Sequence, residues 1–397
     1  MSMFLPEATR TELPVISDKR PVSIFLLVRS LELGGAERQL VLLATGLHER
    51  GYRVQVAVFY KRGPLIEELD RAGVAIIDLG KRGRWDLIGF VWRLRQVLQR
   101  VRPDLVYSFL GGANIMAAAA GLVVRGVKIV WSIRAADMDL SQYDWTHRAG
   151  SRVERWISGL PDLIIANSVS GRDYAAQNGF PVDRIAVVSN GIDTAHFRPD
   201  AKLRAAQRAR WGLRGQEIGV GVLARLDPMK GQETFLRAAA IALRSKPELR
   251  FLCIGEGPDE GRLKALAAEL QLGDRVLITG VADPVAALNA LDVACSPSFT
   301  EGFSNAIAEA MACGIPCIVT NVGDSARIVG KLGIVVPRSH PSALANAILK
   351  VVEELPSIQK KRVRARIVST FSAAAMVEGT IAQLNRLSAG SRRHTEP

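Results

Sequence analysis

Short apolar runs alternate along the chain with longer stretches that carry apolar residues at helical spacing. In the first half, these runs predict strands at 23–28, 54–59, 74–79, 105–109, 128–133, 163–167 and 185–189. Helices are predicted between them, including 36–50, 65–72 and 86–101. Strands separated by helices imply parallel βαβ units and a sheet that is covered on both faces.

The alternation stops at a turn-forming stretch, 190–200, and then starts again. The second half has strand candidates at 218–224, 250–254, 276–279, 293–296 and 317–320, and its last helices are predicted at 344–352, 357–368 and 373–387. We therefore expect an α/β protein with two doubly wound, Rossmann-like domains that face each other across a cleft. In such folds ligands bind beyond the carboxyl ends of the strands.

The domain boundaries follow from the same pattern. We expect an N-terminal domain at 21–195, a C-terminal domain at 196–372, a helix at 373–388 that crosses back to the first domain, and mobile tails at 1–20 and 389–397.

Composition agrees with a globular protein, since 48% of the 397 residues are hydrophobic and 23% are charged. No uninterrupted apolar window reaches the roughly 18 residues of a membrane span, and the N-terminus lacks the pattern of a secretory signal. We therefore expect a cytoplasmic protein. The four cysteines and five histidines form no metal-ligand spacing, so we expect reduced core thiols and no bound metal.

The net charge of +13 is spread over the chain, with +5 in residues 1–200 and +8 in residues 201–397. This charge favours anionic partners. The segment 81–103 has seven basic residues, one acidic residue, Trp85 and Trp92. Its apolar stripe, which includes Leu87, Phe90 and Leu94, predicts packing on the sheet. Its basic exterior indicates peripheral attachment to an anionic membrane surface.

A glycine pair, Gly34-Gly35, follows the first strand and precedes a helix, where a backbone can approach a ligand closely. A tight turn is the alternative explanation. In the second half, Arg225 and Lys230 follow the strand at 218–224 and surround a proline turn. They are either a clamp for a diphosphate or two solvated loop charges.

The stretch from Glu301 to Asn305 follows the strand at 293–296 and leads into a helix. Ser304 is the expected N-cap, and the free amides of the first turn favour a phosphate. Glu301 is a candidate acceptor for sugar hydroxyls. Glu309 lies on the following helix in an apolar context, where an unpaired carboxylate is costly, so we expect it to have a hydrogen-bonding task.

Together these motifs resemble the retaining glycosyltransferases of family 4, which have the GT-B fold. The matching segments lie in the expected order over nearly the whole chain: GGAERQL (34–40), VVSNGID (187–193), ARLDPMKG (224–231), IGEGP (254–258), EGFSNAIAEAMACGIPCIVT (301–320) and NVGD (321–324).

The resemblance implies a nucleotide-sugar site in the C-terminal domain and an acceptor site in the N-terminal domain. Arg225 and Lys230 would hold the diphosphate, Glu309 the ribose and Glu301 the transferred sugar. The other implied donor-binding residues are Gly34, Gly35, Asn190, Gly255, Glu256, Val281, Gly302, Phe303, Ser304 and Asn305. Transfer would retain the anomeric configuration and would need neither a metal nor a cofactor beyond the nucleotide sugar.

One departure lies in the acceptor half. Relatives often carry a histidine where this chain has Arg134, and an arginine is not a base at neutral pH. Arg134 is instead expected to bind an acceptor phosphate or the donor diphosphate, and Asp137 or Asp139 to orient the acceptor hydroxyl. The string Asp137-Met138-Asp139 is also a metal-binding pattern in an unrelated fold, but it lies in the acceptor half, and we do not expect it to bind a metal.

These observations predict a glycosyltransferase that uses a nucleotide sugar, with UDP as the expected nucleotide, and a glycan or lipid-linked glycan as acceptor. The product would belong to a cell-surface polysaccharide or lipopolysaccharide. The reaction is expected at the inner face of the bacterial membrane. A sugar-nucleotide epimerase of the same architecture is the alternative. A nucleic-acid-binding protein is disfavoured, because the chain has no recognition motif for one and only 6% aromatic residues.

Overall fold

The computed structural model describes residues 21–134 and 145–390, and the strands in them form two parallel sheets. The first sheet has seven strands in the order β3-β2-β1-β4-β5-β6-β7. Their bounds are β1 Ser23–Val28, β2 Arg53–Val58, β3 Ala75–Asp78, β4 Leu105–Phe109, β5 Lys128–Ile133, β6 Leu163–Ala166 and β7 Ile185–Val187.

The second sheet has six strands in the order β10-β9-β8-β11-β12-β13. Their bounds are β8 Ile218–Leu223, β9 Leu249–Ile254, β10 Val276–Ile278, β11 Val293–Ser296, β12 Cys317–Thr320 and β13 Ile334–Val336. The strand order reverses once in each sheet, between β1 and β4 in the first sheet and between β8 and β11 in the second. The expected fold class, two doubly wound α/β domains, is therefore confirmed.

Helices connect the strands and cover the faces of both sheets. They are α1 Gly35–Glu49, α2 Ile66–Arg71, α3 Ile88–Val101, α4 Gly111–Val123, α5 Trp145–Trp156, α6 Val169–Gln177, α7 Ala201–Arg210, α8 Gln232–Ala242, α9 Glu260–Glu269, α10 Pro284–Ala290, α11 Asn305–Ala312, α12 Ser325–Val329, α13 Pro341–Glu354, α14 Lys360–Thr370 and α15 Ala373–Gly390.

The continuous apolar run of β1 is explained by burial on both faces of its sheet. Ile24 and Leu26 pack with α1 and α15 on one face, whereas Phe25 and Leu27 pack with α3 and α4 on the other. Successive side chains of a strand point to opposite faces, so a strand covered on both sides needs an apolar residue at every position. Full burial of one such side chain contributes about 1.5–3 kcal/mol.

The predicted strands β1, β4, β5, β11 and β12 have the same bounds in the structure. The prediction missed β13, whose three residues pair with β12 at the end of its sheet. It also placed Leu87 on the buried stripe of α3, but this residue precedes the helix and is exposed. Phe90 and Leu94 lie on the buried face of α3 as predicted, together with Leu98.

The last helix, α15, packs on α1 of the first domain. Met376 and Val377 lie in the same apolar cluster as the α1 residues, and Arg50 at the end of α1 donates to Glu378 at 2.6 Å. This contact ties the end of the described chain to its first helix. The boundaries at residues 195 and 372 stay predictions.

A second connection between the domains uses a buried carboxylate. Asp324, which precedes α12, accepts from the backbone amides of Val169 and Ser170, both at 3.0 Å. Those amides belong to the first turn of α6, where a helix has no internal acceptors. The C-terminal domain therefore caps a helix of the N-terminal domain.

Candidate active site

A cavity of about 300 Å³ opens where the strand order of the second sheet reverses, between β8 and β11. Parallel strands that diverge at such a point leave a crevice beyond their carboxyl ends, which is where ligands bind in doubly wound folds. The residues predicted to bind the donor that line this cavity are Gly35, Arg225, Lys230, Glu301, Phe303, Ser304 and Asn305.

Lys230 lies in a tight turn that follows β8. The side chain of Asp227 caps this turn by accepting from the amide of Met229 at 3.1 Å. Gly231 ends it with φ +70°, and a Cβ there would lie 2.1 Å from the carbonyl oxygen of Pro297. This position therefore requires glycine, because both the backbone conformation and the close approach exclude a side chain.

Glu301 is the carboxylate that faces Lys230. Lys230 Nζ donates to Glu301 Oε1 at 2.8 Å, and Ser298 Oγ donates to the same oxygen at 2.9 Å. The carboxylate side chain is 12% exposed, so water screens this pair less than it screens a surface pair. Arg225 is exposed at the mouth of the same cavity.

The start of α11 forms one wall of the cavity. Ser304 occupies the N-cap position as predicted, but its side chain makes no capping hydrogen bond to the helix. The first-turn amides of α11 therefore lack that internal acceptor, at an end of the helix that favours an anion. From the other domain, a Cβ on Gly35 would lie 3.3 Å from Asn305 Nδ2.

Glu309 lies one turn further along α11 and is largely buried. Burial raises the pKa of its carboxyl to about 7, against the opposing effect of Arg38 on α1. No hydrogen bond to its carboxylate is present among the described residues, and it does not line the cavity. The expected hydrogen-bonding task therefore stays a prediction that needs a ligand as its partner.

Arg134 follows β5 in the N-terminal domain and reaches toward the second domain. Its Nε donates to Ser132 Oγ at 2.6 Å and its Nη1 to Asn190 Oδ1 at 2.7 Å, and its guanidinium lies 4.5 Å from the centre of the Phe109 ring. Burial lowers the pKa of this guanidinium from its usual value. Asn190 in turn donates to Asn305 Oδ1 at 2.8 Å, which connects Arg134 to the cavity wall.

Two models of one glycosyltransferase family match the two halves of the chain. One, described as Glycosyltransferase Family 4, matches residues 33–196, and the other, described as Glycosyl transferases group 1, matches residues 217–354. A D-inositol 3-phosphate glycosyltransferase of Pseudarthrobacter chlorophenolicus is 31% identical over 346 residues, which are 80% of this chain and 81% of that protein. The chain belongs to glycosyltransferase family 4.

Other relatives match over a shorter length. D-inositol 3-phosphate glycosyltransferases of Rhodococcus jostii and Acidothermus cellulolyticus are 32% and 33% identical, with 55% of this chain matched in each case. These matches cover 51% and 52% of the relatives, so they span about half the length of those proteins.

Solved structures agree with the family on the fold. Anabaena Alr3699/HepE in complex with UDP and glucose superposes with a TM-score of 0.80 at 22% identity, over 92% of this chain and 99% of that chain. WaaG, a glycosyltransferase of lipopolysaccharide biosynthesis, superposes with a TM-score of 0.69 at 15% identity, over 90% and 99% of the two chains. The GT-B fold expected from the family resemblance is thereby confirmed.

Several predicted site residues do not line the cavity. They are Gly34, Arg134, Asn190, Gly255, Glu256, Val281, Gly302 and Glu309, while Asp137 and Asp139 fall outside the described residues. Gly255 has an evident structural reason, because a Cβ there would lie 2.2 Å from the carbonyl oxygen of Ala224. Val281 is exposed, and Gly302 lies at the contact between the domains.

Sequence reasoning missed Ser298 and Asp324, which the structure places beside Glu301 and across the domain contact. A serine in a loop carries no signal of its own. Asp324 was quoted only as part of a family motif, and nothing in its local sequence points to a helix 155 residues away. Among the described residues, no group of three His, Cys, Asp or Glu side chains is arranged to hold a metal ion.

Proposed function

We propose that this protein transfers a sugar from a nucleotide sugar, with UDP as the expected nucleotide, to a glycan or lipid-linked glycan, and that transfer retains the anomeric configuration. The donor would lie in the cavity between β8 and β11. The product would extend a cell-surface polysaccharide such as lipopolysaccharide or its lipid-linked precursor.

The observation that carries this proposal is the placement of Arg225, Lys230 and the start of α11 around one cavity. The leaving group of such a reaction is a nucleoside diphosphate, and the difficult step is the development of negative charge on it. Fixed cations and helix-end amides stabilise that charge without reorganising during the reaction. Glu301 lies beside them and is suited to accept hydrogen bonds from sugar hydroxyls.

The relatives support the choice of nucleotide. The structures of Anabaena Alr3699/HepE were solved with UDP, with UDP and glucose, and with UDP-glucose. The curated relatives are named for D-inositol 3-phosphate, which makes this phosphorylated cyclitol the first small acceptor to test.

Domain closure would complete the proposed site. The cavity draws Gly35 from the first domain and Glu301 from the second, and hydrogen bonds from Asn190 to Asn305 and from Val169 to Asp324 join the two domains. A donor that contacts both domains stabilises the closed arrangement and excludes water from the reacting sugar.

The proposal is tested by binding and turnover with purified protein. We expect UDP or a UDP-sugar, and not the corresponding ADP and GDP compounds, to raise the melting temperature, since a ligand at a hundred times its Kd stabilises the fold by about 2.7 kcal/mol. Release of UDP from a UDP-sugar should then require an acceptor. Absence of any nucleotide binding contradicts the proposal, and interconversion of donor sugars without acceptor would indicate the epimerase.

We also propose that α3 and the loop before it attach the protein to an anionic membrane surface. Trp85, Ile88 and Trp92 are 74%, 88% and 56% exposed, which is unusual for side chains of this size. Basic residues surround them in the segment 81–103. An apolar edge that enters the headgroup region beside a basic face suits an anionic bilayer. Within the described residues, no helix is long and apolar enough to cross a bilayer.

A further inference from the structure

We propose that Arg134 binds a negatively charged substituent, a carboxylate or phosphate, on one of the two carbohydrate substrates, at a position beside the transferred sugar. This inference rests on the proposed function and specifies the class of sugar that the site accepts. The charged substituent belongs either to the donor, as in a uronic acid, or to the acceptor, as in a phosphorylated sugar.

The described residues around Arg134 hold its cation in place without neutralising it. Its hydrogen-bond partners among them are the hydroxyl of Ser132 and the side-chain oxygen of Asn190, and Phe109 lies under its plane. All of these groups are neutral. Among the described residues, no carboxylate forms an ion pair with Arg134, whereas Arg204 and Arg208 of the other domain both pair with Asp292.

A partly buried cation is stabilised by an opposite charge or by several hydrogen bonds, and the described residues accept from two of the five N–H donors of Arg134. We infer that its remaining donors bind an anion that arrives with a ligand. A planar guanidinium also suits carboxylate and phosphate geometry, since it can donate two parallel hydrogen bonds.

The position of Arg134 indicates which part of the ligand carries that anion. A Cβ on Gly302 would lie 3.6 Å from the carbonyl oxygen of Arg134, so this residue lies against the loop that contains Glu301. Through Asn190, its guanidinium is hydrogen-bonded to Asn305 at the cavity wall. The diphosphate candidates Arg225 and Lys230 belong to the opposite domain. An anion on Arg134 would thus lie at the sugar end of the donor or on the adjoining acceptor.

The test compares charged and neutral ligands on wild type and on Arg134→Gln, by calorimetry. The donor arm uses UDP-glucuronic acid against UDP-glucose. The acceptor arm uses glucose 6-phosphate, glucuronic acid and inorganic phosphate against glucose, each in the presence of saturating UDP. Arg172→Gln is the matched control, because Arg172 is an exposed arginine of the same domain that pairs with Asp173.

If the donor carries the anion, wild type should bind UDP-glucuronic acid about tenfold or more tighter than UDP-glucose, and Arg134→Gln should abolish this preference. If the acceptor carries it, the preference should be seen in the second arm alone. Arg134→Lys should recover part of it, and the control should retain it in full.

The proposal is overturned if neither arm shows a preference for the charged ligand that depends on Arg134 while UDP still binds. Failure of UDP to bind wild type contradicts the proposed function instead, so the two failures are distinguishable. Melting temperatures of the ligand-free variants show whether Arg134→Gln is folded. If it is not folded, the comparison is made between wild type and Arg134→Lys. This variant should weaken the preference for the charged ligand, because lysine keeps the positive charge but cannot donate two parallel hydrogen bonds.

Discussion

Lys230 and Glu301 form an ion pair, with 2.8 Å between Nζ and Oε1. We propose that the two residues bind different parts of the donor, the lysine the diphosphate and the glutamate the transferred sugar. Their contact holds both side chains at the cavity. A donor that binds here must exchange part of this contact for its own phosphate and hydroxyl groups.

We expect substitution of Lys230 to weaken UDP binding and substitution of Glu301 to slow sugar transfer. Lys230→Ala should raise the Kd for UDP about tenfold or more, because it removes a hydrogen bond to a charged group. Glu301→Gln should leave the Kd for UDP within about threefold and lower the rate of transfer by about a hundredfold, because UDP lacks the sugar that we propose Glu301 to contact. Calorimetry with UDP and a UDP-release assay measure the two effects.

Lys264→Ala is the matched control for the lysine variant, since Lys264 is exposed on α9 and pairs with Glu260. It should leave both UDP binding and transfer unchanged. A Glu301→Gln variant with full transfer activity would remove Glu301 from the proposed site, whatever its effect on binding.

Glu309 predicts a dependence of stability on pH. Its carboxyl has a pKa of about 7 in the folded protein because of burial. A pKa raised on folding means that the folded state binds the proton more tightly, so stability decreases as pH rises from the unfolded value, about 4.3, through 7. Replacement of Glu309 by Gln should therefore stabilise the protein at pH 8 by up to about 3 kcal/mol and have little effect near pH 4.5.

Denaturant unfolding of wild type and Glu309→Gln at both pH values measures this difference. Glu269→Gln is the control, because Glu269 is exposed on α9 and undergoes the same chemical change. Equal stabilisation of Glu309→Gln at both pH values would show that the effect does not come from ionisation of this carboxyl. Weaker binding of UDP by the stabilised variant would assign Glu309 to the ribose.

The exposed residues of α3 and of the loop before it predict binding to anionic vesicles. Wild type should sediment with vesicles that contain phosphatidylglycerol and much less with pure phosphatidylcholine, and added salt should weaken this binding. The double change Trp85→Ser and Ile88→Ser should reduce it about fivefold or more, because both side chains are exposed and apolar.

Val368→Ser provides the control for the vesicle experiment, since Val368 is an exposed apolar residue on a helix of the other domain. If it lowers vesicle binding as much as the double change, α3 is not the attachment site. Equal binding to charged and neutral vesicles would contradict the electrostatic part of the proposal.

The contact between Asp324 and α6 predicts that removal of the Asp324 carboxylate uncouples the two domains. Asp324→Ala removes the acceptor for two amides of α6, which should cost about 1–2 kcal/mol and separate the unfolding of the domains into two calorimetric transitions. Asp173→Asn on α6 is the control, because Asp173 is exposed and pairs with Arg172. A single transition at an unchanged temperature would show that this contact does not couple the domains.

Much of the architecture was predictable because the information is local. The apolar runs of β1, β4 and β5 identify buried parallel strands by themselves, since burial on both faces requires an apolar residue at each position. The change from strand to helix periodicity identifies the loops that follow strands, and those loops carry Lys230 and Glu301. The short strand β13 was not predicted, because three residues are too few to show a strand periodicity.

What the sequence by itself determined is the fold class, the order of its elements and the loops that hold the candidate donor-binding residues. The tertiary structure alone decided which of those residues meet. Asn190 contacts Arg134 and Asn305, which are 56 and 115 residues away along the chain, and Asp324 caps a helix of the other domain. Such contacts depend on how two sheets from different halves of the chain pack against each other. The spacing of residues along the chain does not indicate that packing.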